Sequence, residues 1–409
     1  LEAQISARRT ERGWETVEDA APAPDAIRAD WLHEAGAHAV QELGYALAAG
    51  VERLAAQSAS RTVDEAARGI EFVMAVGPGY FVEIAKLRAA RILWEQAVAA
   101  FGPKDGASCI LRLHVRTPRR NKSVCDSATN QLRATTEALA AVIGGCDRLT
   151  VEAFGFDAHV AVNIQRILRE ESHVDAVADP AGGSYYIEAL TDAIARESWK
   201  LFQQVEAEGG YSKALASGSV GRALAAARAA REKAVSSRRR VLVGVNNYPN
   251  LAEKRSETAV PAPWDSSLPQ VRVAEPFEKI RRRTVEHALA SGRYPKVLLL
   301  VRGDVKMKGA RANFCLNFFG CAAFDVEQSE EYAGTDADLV VLCSSDPEYP
   351  EFAREVCAGV NVPVLVAGNP KDQIAALEAA GVQGFVHVFS DAVETLTEWQ
   401  NRLGMRSGE

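Results

Sequence analysis

Between Asp30 and about Gly210 the chain repeats one pattern four times: a short strand-like run, then a long amphipathic helical stretch. Trp31 and Leu32 precede a Gly/Ala-rich turn and a helix over about 37–57, whose apolar face is Val40, Leu43, Leu47 and Val51. A strand over 70–74 leads into a helix over 81–101, and a strand over 109–115 into a helix over 127–143. A fourth strand, 149–153, precedes helices over 160–170 and 190–208. Strand-then-helix alternation of this kind specifies parallel βα units. Four units cannot close a barrel, which takes eight strands. Left open, they would expose two edges and an uncovered apolar face. The pattern therefore implies a missing half supplied from elsewhere.

Residues 236–293 read as a wrapped linker, because they carry Pro249, Pro261, Pro263, Pro269 and Pro276 and few long apolar runs. A short strand over 241–245 opens the linker and a helix over 277–289 closes it. A second α/β domain occupies 294–409, with strands over 297–301, 323–327, 338–342, 364–367 and 385–389 and a last helix over 391–403. Five strands alternating with helices in so short a stretch give a flavodoxin-like doubly wound pattern. Residues 1–235 form the first domain.

Composition narrows the function classes. Charged residues make up 25% of the chain, the two signs are interspersed and the net charge is -7, so no basic stripe for nucleic acid exists. Apolar runs are strand-sized, far short of the ~20 residues of a membrane-spanning helix. The polar opening LEAQISARRTERGWE lacks a signal-peptide pattern. The chain opens on Leu1 rather than Met, which fits a processed product or part of a longer protein. Seven scattered cysteines with no C-x-x-C pair argue against a disulfide framework and a zinc site, and point to a reducing cytoplasm. Cys315 and Cys343 sit inside apolar runs and read as buried hydrophobes.

Several long motifs resemble the methylmalonyl-CoA mutase family. They are Glu34-Ala-Gly-Ala37 with Gln41-Glu-Leu43, the run from Phe81 through Lys86 and Arg91 to Trp94, and Asp179-Pro-Ala-Gly-Gly-Ser184-Tyr-Tyr-Ile-Glu188-Ala-Leu-Thr191. Val243-Gly-Val-Asn246 with Tyr248, and Ala274-Glu-Pro-Phe-Glu278, continue the match. The resemblance implies that the four βα units are strands five to eight of a (β/α)8 barrel that binds acyl-CoA. It also implies that the second domain is of the type that brings cobalamin to the barrel mouth, where the cofactor supplies the radical chemistry.

At several positions this chain departs from the family's catalytic pattern. Trp31 stands where catalytic members have a substrate-contacting histidine, and indole is neither acid nor base near neutral pH. His33, two residues on, would share Trp31's face on a strand; it is either a substitute or a core histidine. Arg112-Leu-His114 keeps an Arg-x-His spacing similar to the family's CoA-contacting strand. Both residues then point into the barrel, or they are simply polar strand-end residues. Arg116, Arg119, Arg120 and Lys122 follow in a basic loop, suited to phosphate or merely solvated. Glu152 replaces another histidine; a carboxylate there repels an anionic ligand and is expected to pair with Arg112.

In the second domain the family's cobalt-ligating Asp-x-His-x-x-Gly becomes Asp304-Val-Lys306-Met-Lys-Gly309. An ammonium cannot coordinate cobalt, and deprotonating it at neutral pH costs ~4–5 kcal/mol. Ser344-Ser345-Asp346 puts a carboxylate where the family has an apolar cover, and Ala367-Gly368 replaces a Gly-Gly pair. These losses imply that this chain binds no cofactor, with adenosylcobalamin expected in a partner. The leading expectation is a non-catalytic small subunit of the mutase, supporting a catalytic large subunit. One alternative is an active acyl-CoA mutase component completed in trans by the missing half-barrel. Another is a stand-alone small-anion binding or regulatory protein using Lys306, Lys308 and Arg311 at a helix start.

Overall fold

The computed structural model describes residues 5–405 apart from 11, 12, 19–21, 24, 175, 257, 265 and 333–335; over the first two strands it describes the backbone. The chain divides into two compact units. The first contains the chain up to Lys122, Ser127–Ala230 and Ala259–Arg272; the second contains Ser123–Asp126, Arg231–Thr258 and everything from Val273.

In the first unit β1 (Ile5–Thr10) and β2 (Gly13–Glu18) form an antiparallel hairpin. The parallel strands are β3 (Ile27–Arg28), β4 (Glu71–Ala75), β5 (Arg112–Arg116) and β6 (Arg148–Thr150). The sheet runs β2-β1-β6-β5-β4-β3, with β1 antiparallel to β6. Around it lie α1 (Ala29–Glu34), α2 (Ala39–Ser58), α3 (Val63–Gly69), α4 (Tyr80–Ala100), α5 (Ala128–Ile143), α6 (Ala158–Glu170), α7 (Tyr185–Ala207) and α8 (Tyr211–Ala216), followed by α9 (Ser219–Ser236). Alternation along each strand sorts the residues. Phe72, Met74, Leu113, Val115, Leu149 and Val151 enter the core shared with the helices. Glu71, Arg112, His114, Arg116, Arg148 and Thr150 take the opposite face.

The first parallel strand lies four residues before its expected place, and Trp31 and Leu32 belong to α1. Ala29 and Leu32 are buried at helical spacing, and this outweighs the strand-like look of the Trp-Leu pair. α3 went unforeseen although Thr62-Val-Asp-Glu65 spells a capping box: Glu65 N–H donates to Thr62 Oγ1 at 3.2 Å and Thr62 N–H to Glu65 Oε2 at 3.0 Å.

In the second unit α10 (Glu275–Ser291) precedes β7 (Lys296–Val301), α11 (Val305–Gly320), β8 (Asp325–Ser329), β9 (Leu339–Cys343), α12 (Tyr349–Gly359), β10 (Val364–Ala367), α13 (Ile374–Ala379), β11 (Gly384–Val386) and α14 (Ala392–Arg402). All five strands are parallel, in the order β8-β7-β9-β10-β11. Val297, Leu299, Val341 and Leu365 pack on one face with residues of α11 and α14. Leu298, Leu300, Val340 and Val366 pack on the other with residues of α12 and α13. Burial on both faces explains why these strands are continuous apolar runs. The strand expected over 241–245 is a turn. Gly244 has φ +81°, and the buried Asn246 donates from Nδ2 to the carbonyls of Val235 and Arg240, both at 2.8 Å.

One contact in the first unit tests its packing. Phe72 and Trp94 meet edge to face at 4.9 Å, and Gly50 of α2 lies against both. A β-carbon at Gly50 would sit 2.5 Å from Phe72 and 2.8 Å from Trp94. Gly50→Val should cost about 1–3 kcal/mol by overpacking, measurable as an earlier denaturant midpoint. An unchanged midpoint would mean that the rings do not close on the helix.

Candidate functional site

In parallel βα architectures, residues at the C-terminal ends of the strands and in the loops beyond do the chemistry. Here that region of the first unit is filled with the protein's own charges. β5 ends at Arg116, whose Nη2 lies 3.0 Å from Glu152 Oε2. Arg119 Nε is 2.8 Å from Glu152 Oε1, and its Nη2 contacts the same oxygen. Glu152 N–H donates to Thr117 Oγ1 at 2.8 Å, fixing the carboxylate's backbone. The Trp264 ring lies against both guanidiniums, at 4.7 Å from Arg116 and 4.5 Å from Arg119. Arg119 also donates to the Ala262 carbonyl at 2.7 Å, so residues 262–264 are tied over the pair.

The rest of the basic loop is likewise engaged. Arg120 donates to the carbonyls of His33 and Ala37. Lys122 and Asn121 both bind Glu137, and Lys122 and Glu137 are fully buried. Burial pushes both of that pair toward neutrality, lowering the lysine and raising the glutamate. The solvated-loop expectation thus fails, because each cation has a carboxylate or carbonyl inside the fold. The pairing of Glu152 with Arg112 fails too. Arg112 is exposed at the start of β5, donating to the Arg68 carbonyl at 3.1 Å. His114 is buried, with Nε2 2.8 Å from Thr150 Oγ1. Burial, then Arg148, Arg116 and Arg28, lower its pKa to about 3, which keeps it neutral.

His33 lies on α1 rather than a strand, buried, with Nδ1 2.9 Å from Glu42 Oε2. Glu42 also accepts from Lys86 Nζ at 2.8 Å and from the Ala75 N–H at 2.8 Å. Lys86 reaches Glu83 at 2.5 Å and the Ala75 carbonyl. Burial opposes the lysine's charge, but Glu42 and Glu83 overcome it and raise its pKa. Trp31 is half-buried on α1 beneath the Arg28 guanidinium, 4.5 Å from its ring centre.

In the second unit Asp304 caps α11, accepting from Met307 N–H at 2.8 Å. Lys306 is exposed in the first turn, and Gly309 follows half-buried in the same helix. Lys308 pairs with Glu330 at 2.7 Å. After β9, Glu348 Oε2 accepts from Ser344 Oγ and Ser345 Oγ at 2.6 Å each and from Ser345 N–H at 3.1 Å. These bonds hold its pKa down at about 2. The carboxylate crowds Gly303, where a β-carbon would lie 2.0 Å from Oε1. Arg311 pairs with Asp346, lies 5.0 Å from the Tyr349 ring centre, and would be 2.9 Å from a β-carbon at Gly368.

A family model described as Methylmalonyl-CoA mutase matches residues 17–291. The chain belongs to the methylmalonyl-CoA mutase family. It is 39% identical over 403 residues to a "Methylmalonyl-CoA mutase small subunit" of Porphyromonas gingivalis, a match covering 92% of this chain and 65% of the relative. It is 37% identical over 398 residues to a protein of the same name from Streptomyces virginiae, covering 91% of this chain and 63% of the relative. Over 226 residues it is 40% identical to the "Methylmalonyl-CoA mutase" of Escherichia coli, covering 53% of this chain and 32% of the relative. The chain thus spans somewhat less than two thirds of the small-subunit relatives.

The geometry gives the matching motifs structural work. Arg88, inside the Phe81–Trp94 run, holds Asp179 and Glu188 at 2.8 Å each and Thr191 Oγ1 at 3.1 Å. Sequence reasoning quoted these residues without foreseeing the clamp. It also missed Glu34 and Trp264. Glu34 stands in the quoted Glu-Ala-Gly-Ala turn; Trp264, in a proline-rich stretch, carried no signal.

Glu34 Oε1 accepts from Arg119 N–H at 2.7 Å. Burial raises its pKa from 4.5 to about 7, aided by Asp30 and opposed by the Arg119 N–H, Arg120 and the Arg119 charge. The folded carboxyl keeps a proton that the unfolded chain loses, so this group's contribution is fully present below about pH 4.5 and lost as pH rises to about 7. The loss is at most about 3 kcal/mol. Glu34→Gln keeps an acceptor for Arg119 and should flatten the melting temperature between pH 5 and 7.5; an unchanged slope would exonerate Glu34. Glu152→Ala leaves two guanidiniums without their shared carboxylate and should destabilise the unit by about 3–5 kcal/mol. Chemical denaturation of both proteins at one pH measures it.

Proposed function

We propose that this chain is a small-subunit-like component of methylmalonyl-CoA mutase, non-catalytic itself, which supports a catalytic large subunit in the isomerisation of methylmalonyl-CoA and succinyl-CoA. In this reading the first unit is strands five to eight of a (β/α)8 barrel and the second a flavodoxin-like, degenerate cobalamin-type domain. Adenosylcobalamin belongs to the partner. Free cysteines at all seven positions favour a reducing cytoplasm. No described helix is long and apolar enough to cross a membrane.

The observation that carries the reading is the crevice at the C-terminal ends of β7 and β9, where the strand order reverses. Doubly wound sheets take their ligands at such a point. Glu348 fills the space before Gly303, and the Arg311–Asp346 pair lies against Gly368. Lys306, at the ligand position, offers an ammonium. These residues do not fit cobalamin: its metal has no imidazole, and its tail would meet a carboxylate and a guanidinium. In the first unit Arg116 is committed to Glu152, His114 is neutral and Arg112 lies at the far end of β5. That weighs against residual acyl-CoA contacts and so against a component completed in trans. Small-anion binding at α11 is disfavoured because Lys308 and Arg311 already hold carboxylates.

Two measurements test this. The chain, incubated with adenosylcobalamin and desalted, should carry no cobalamin absorbance, and Lys306→His should not restore it while Glu348 and Arg311 remain. Cobalamin retained by the unaltered chain would overturn the reading. Co-expressed with the large subunit of a family member, the chain should co-purify, and isomerase activity should appear only when the large subunit is present.

A further inference from the structure

Residues 259–272 belong to the first unit, although the chain on either side of them belongs to the second. Their described residues form no helix or strand, and the stretch carries Pro261, Pro263 and Pro269. It nevertheless has a fixed shape, because one side chain closes it on itself. Trp264 N–H donates to Gln270 Oε1 at 3.0 Å, and Gln270 Nε2 donates back to the Trp264 carbonyl at 2.7 Å. Inside the same loop Leu268 N–H donates to Ser266 Oγ at 3.1 Å. A short loop whose ends meet in this way is a compact Ω-loop, a form that often carries function. Proline on both flanks fixes φ there and stiffens the entry and the exit.

The ties between this loop and the body of the unit lie mainly at its two ends. At one, Arg119 donates to the Ala262 carbonyl at 2.7 Å, and the Trp264 ring lies on Arg116 and Arg119. At the other, Val271 N–H donates to the Glu34 carbonyl at 3.3 Å. Between them Leu268 packs half-buried against the core. The cover is imperfectly satisfied: Trp264 Nε1 and Arg116 Nε are both enclosed without an acceptor. Unpaired buried donors penalise the closed form, and water reaches both once the loop lifts. The ring contacts and the Arg119 bond favour closure. Opposing contributions of this kind leave a segment that opens locally, far below the free energy of global unfolding.

The geometry points to residues 262–271 as a lid that lifts as one piece, carrying Trp264 off the two guanidiniums and opening the C-terminal ends of β5 and β6 to solvent. Closed, it leaves Arg116 and Glu152 only 4% and 8% exposed. Open, the Arg116–Glu152–Arg119 group faces water. The inference goes beyond the small-subunit reading and does not depend on it.

Arginine-specific labelling of the full chain with phenylglyoxal, under native conditions and read by peptide mass, tests the lid. Arg116 and Arg281 are each 4% exposed, and of the two only Arg116 lies under the loop. In the unaltered chain Arg116 should be labelled roughly tenfold faster than Arg281 or more. Hydrogen exchange then separates a lid from a frayed segment. Trp264→Ala keeps the backbone bonds to Gln270 and removes the ring. It should speed exchange in the peptides spanning 117–122 and 262–271 by the same factor and leave β4, residues 71–75, as it was. Labelling of Arg116 no faster than that of Arg281 overturns the inference. So does a Trp264→Ala effect confined to 262–271, or one that reaches β4 as well.

Discussion

The first unit depends on a buried cation that three elements share. Lys86 of α4 is fully enclosed, and its ammonium is held by Glu42 of α2, by Glu83 one turn earlier and by the last carbonyl of β4. Removing either end would strand a charge in the interior, a loss of several kcal/mol, whereas a fully paired cluster is tolerated. Glu42 also takes the Ala75 N–H and His33, so one carboxylate fixes the end of β4 against two helices. The position of α1, and with it Glu34 and Trp31, follows from this cluster rather than from apolar packing alone.

The same solution recurs wherever a ligand would be expected. At the ends of β5 and β6, Glu152 neutralises Arg116 and Arg119, and Trp264 covers them. At the ends of β7 and β9, Glu348 sits in a cradle of serine hydroxyls and a backbone N–H that could equally hold an external anion. Charged groups held away from water are costly unless they are paired. Internal counter-charges offset that cost.

How legible this was in the sequence depends on the range of the interactions. Strand and helix periodicity is local, so the parallel strands other than β3, and most helices, fall within a few residues of their expected places. β3 was missed because two residues make a strand only through Phe72 and Val73 on β4, a pairing no local pattern reveals. The segment over 241–245 looked like a strand because Val-Leu-Val alternates with nothing polar, yet Asn246 organises it into a turn through three backbone bonds. Glu152 was read as Arg112's partner because both sit on the inward face. Three-dimensional register instead puts Arg116 opposite Thr150, next to Glu152, with Arg112 a full strand length away.

The family motifs were the most legible feature, and the structure shows what they hold together. Arg88, Asp179 and Glu188 tie α4 to the start of α7, while Lys86 and Glu42 tie α4 to α2 and β4. Replacing Lys86 or Glu42 would leave a buried charge without a partner, so these ties serve the fold whatever ligand the molecule holds. Position 306 differs. Lys306 is exposed in the first turn of α11, and the helix start is secured by Asp304. The identity of residue 306 is therefore not fixed by packing. Membership of the family is legible in residues that tie the fold together, and function has to be argued from the site itself.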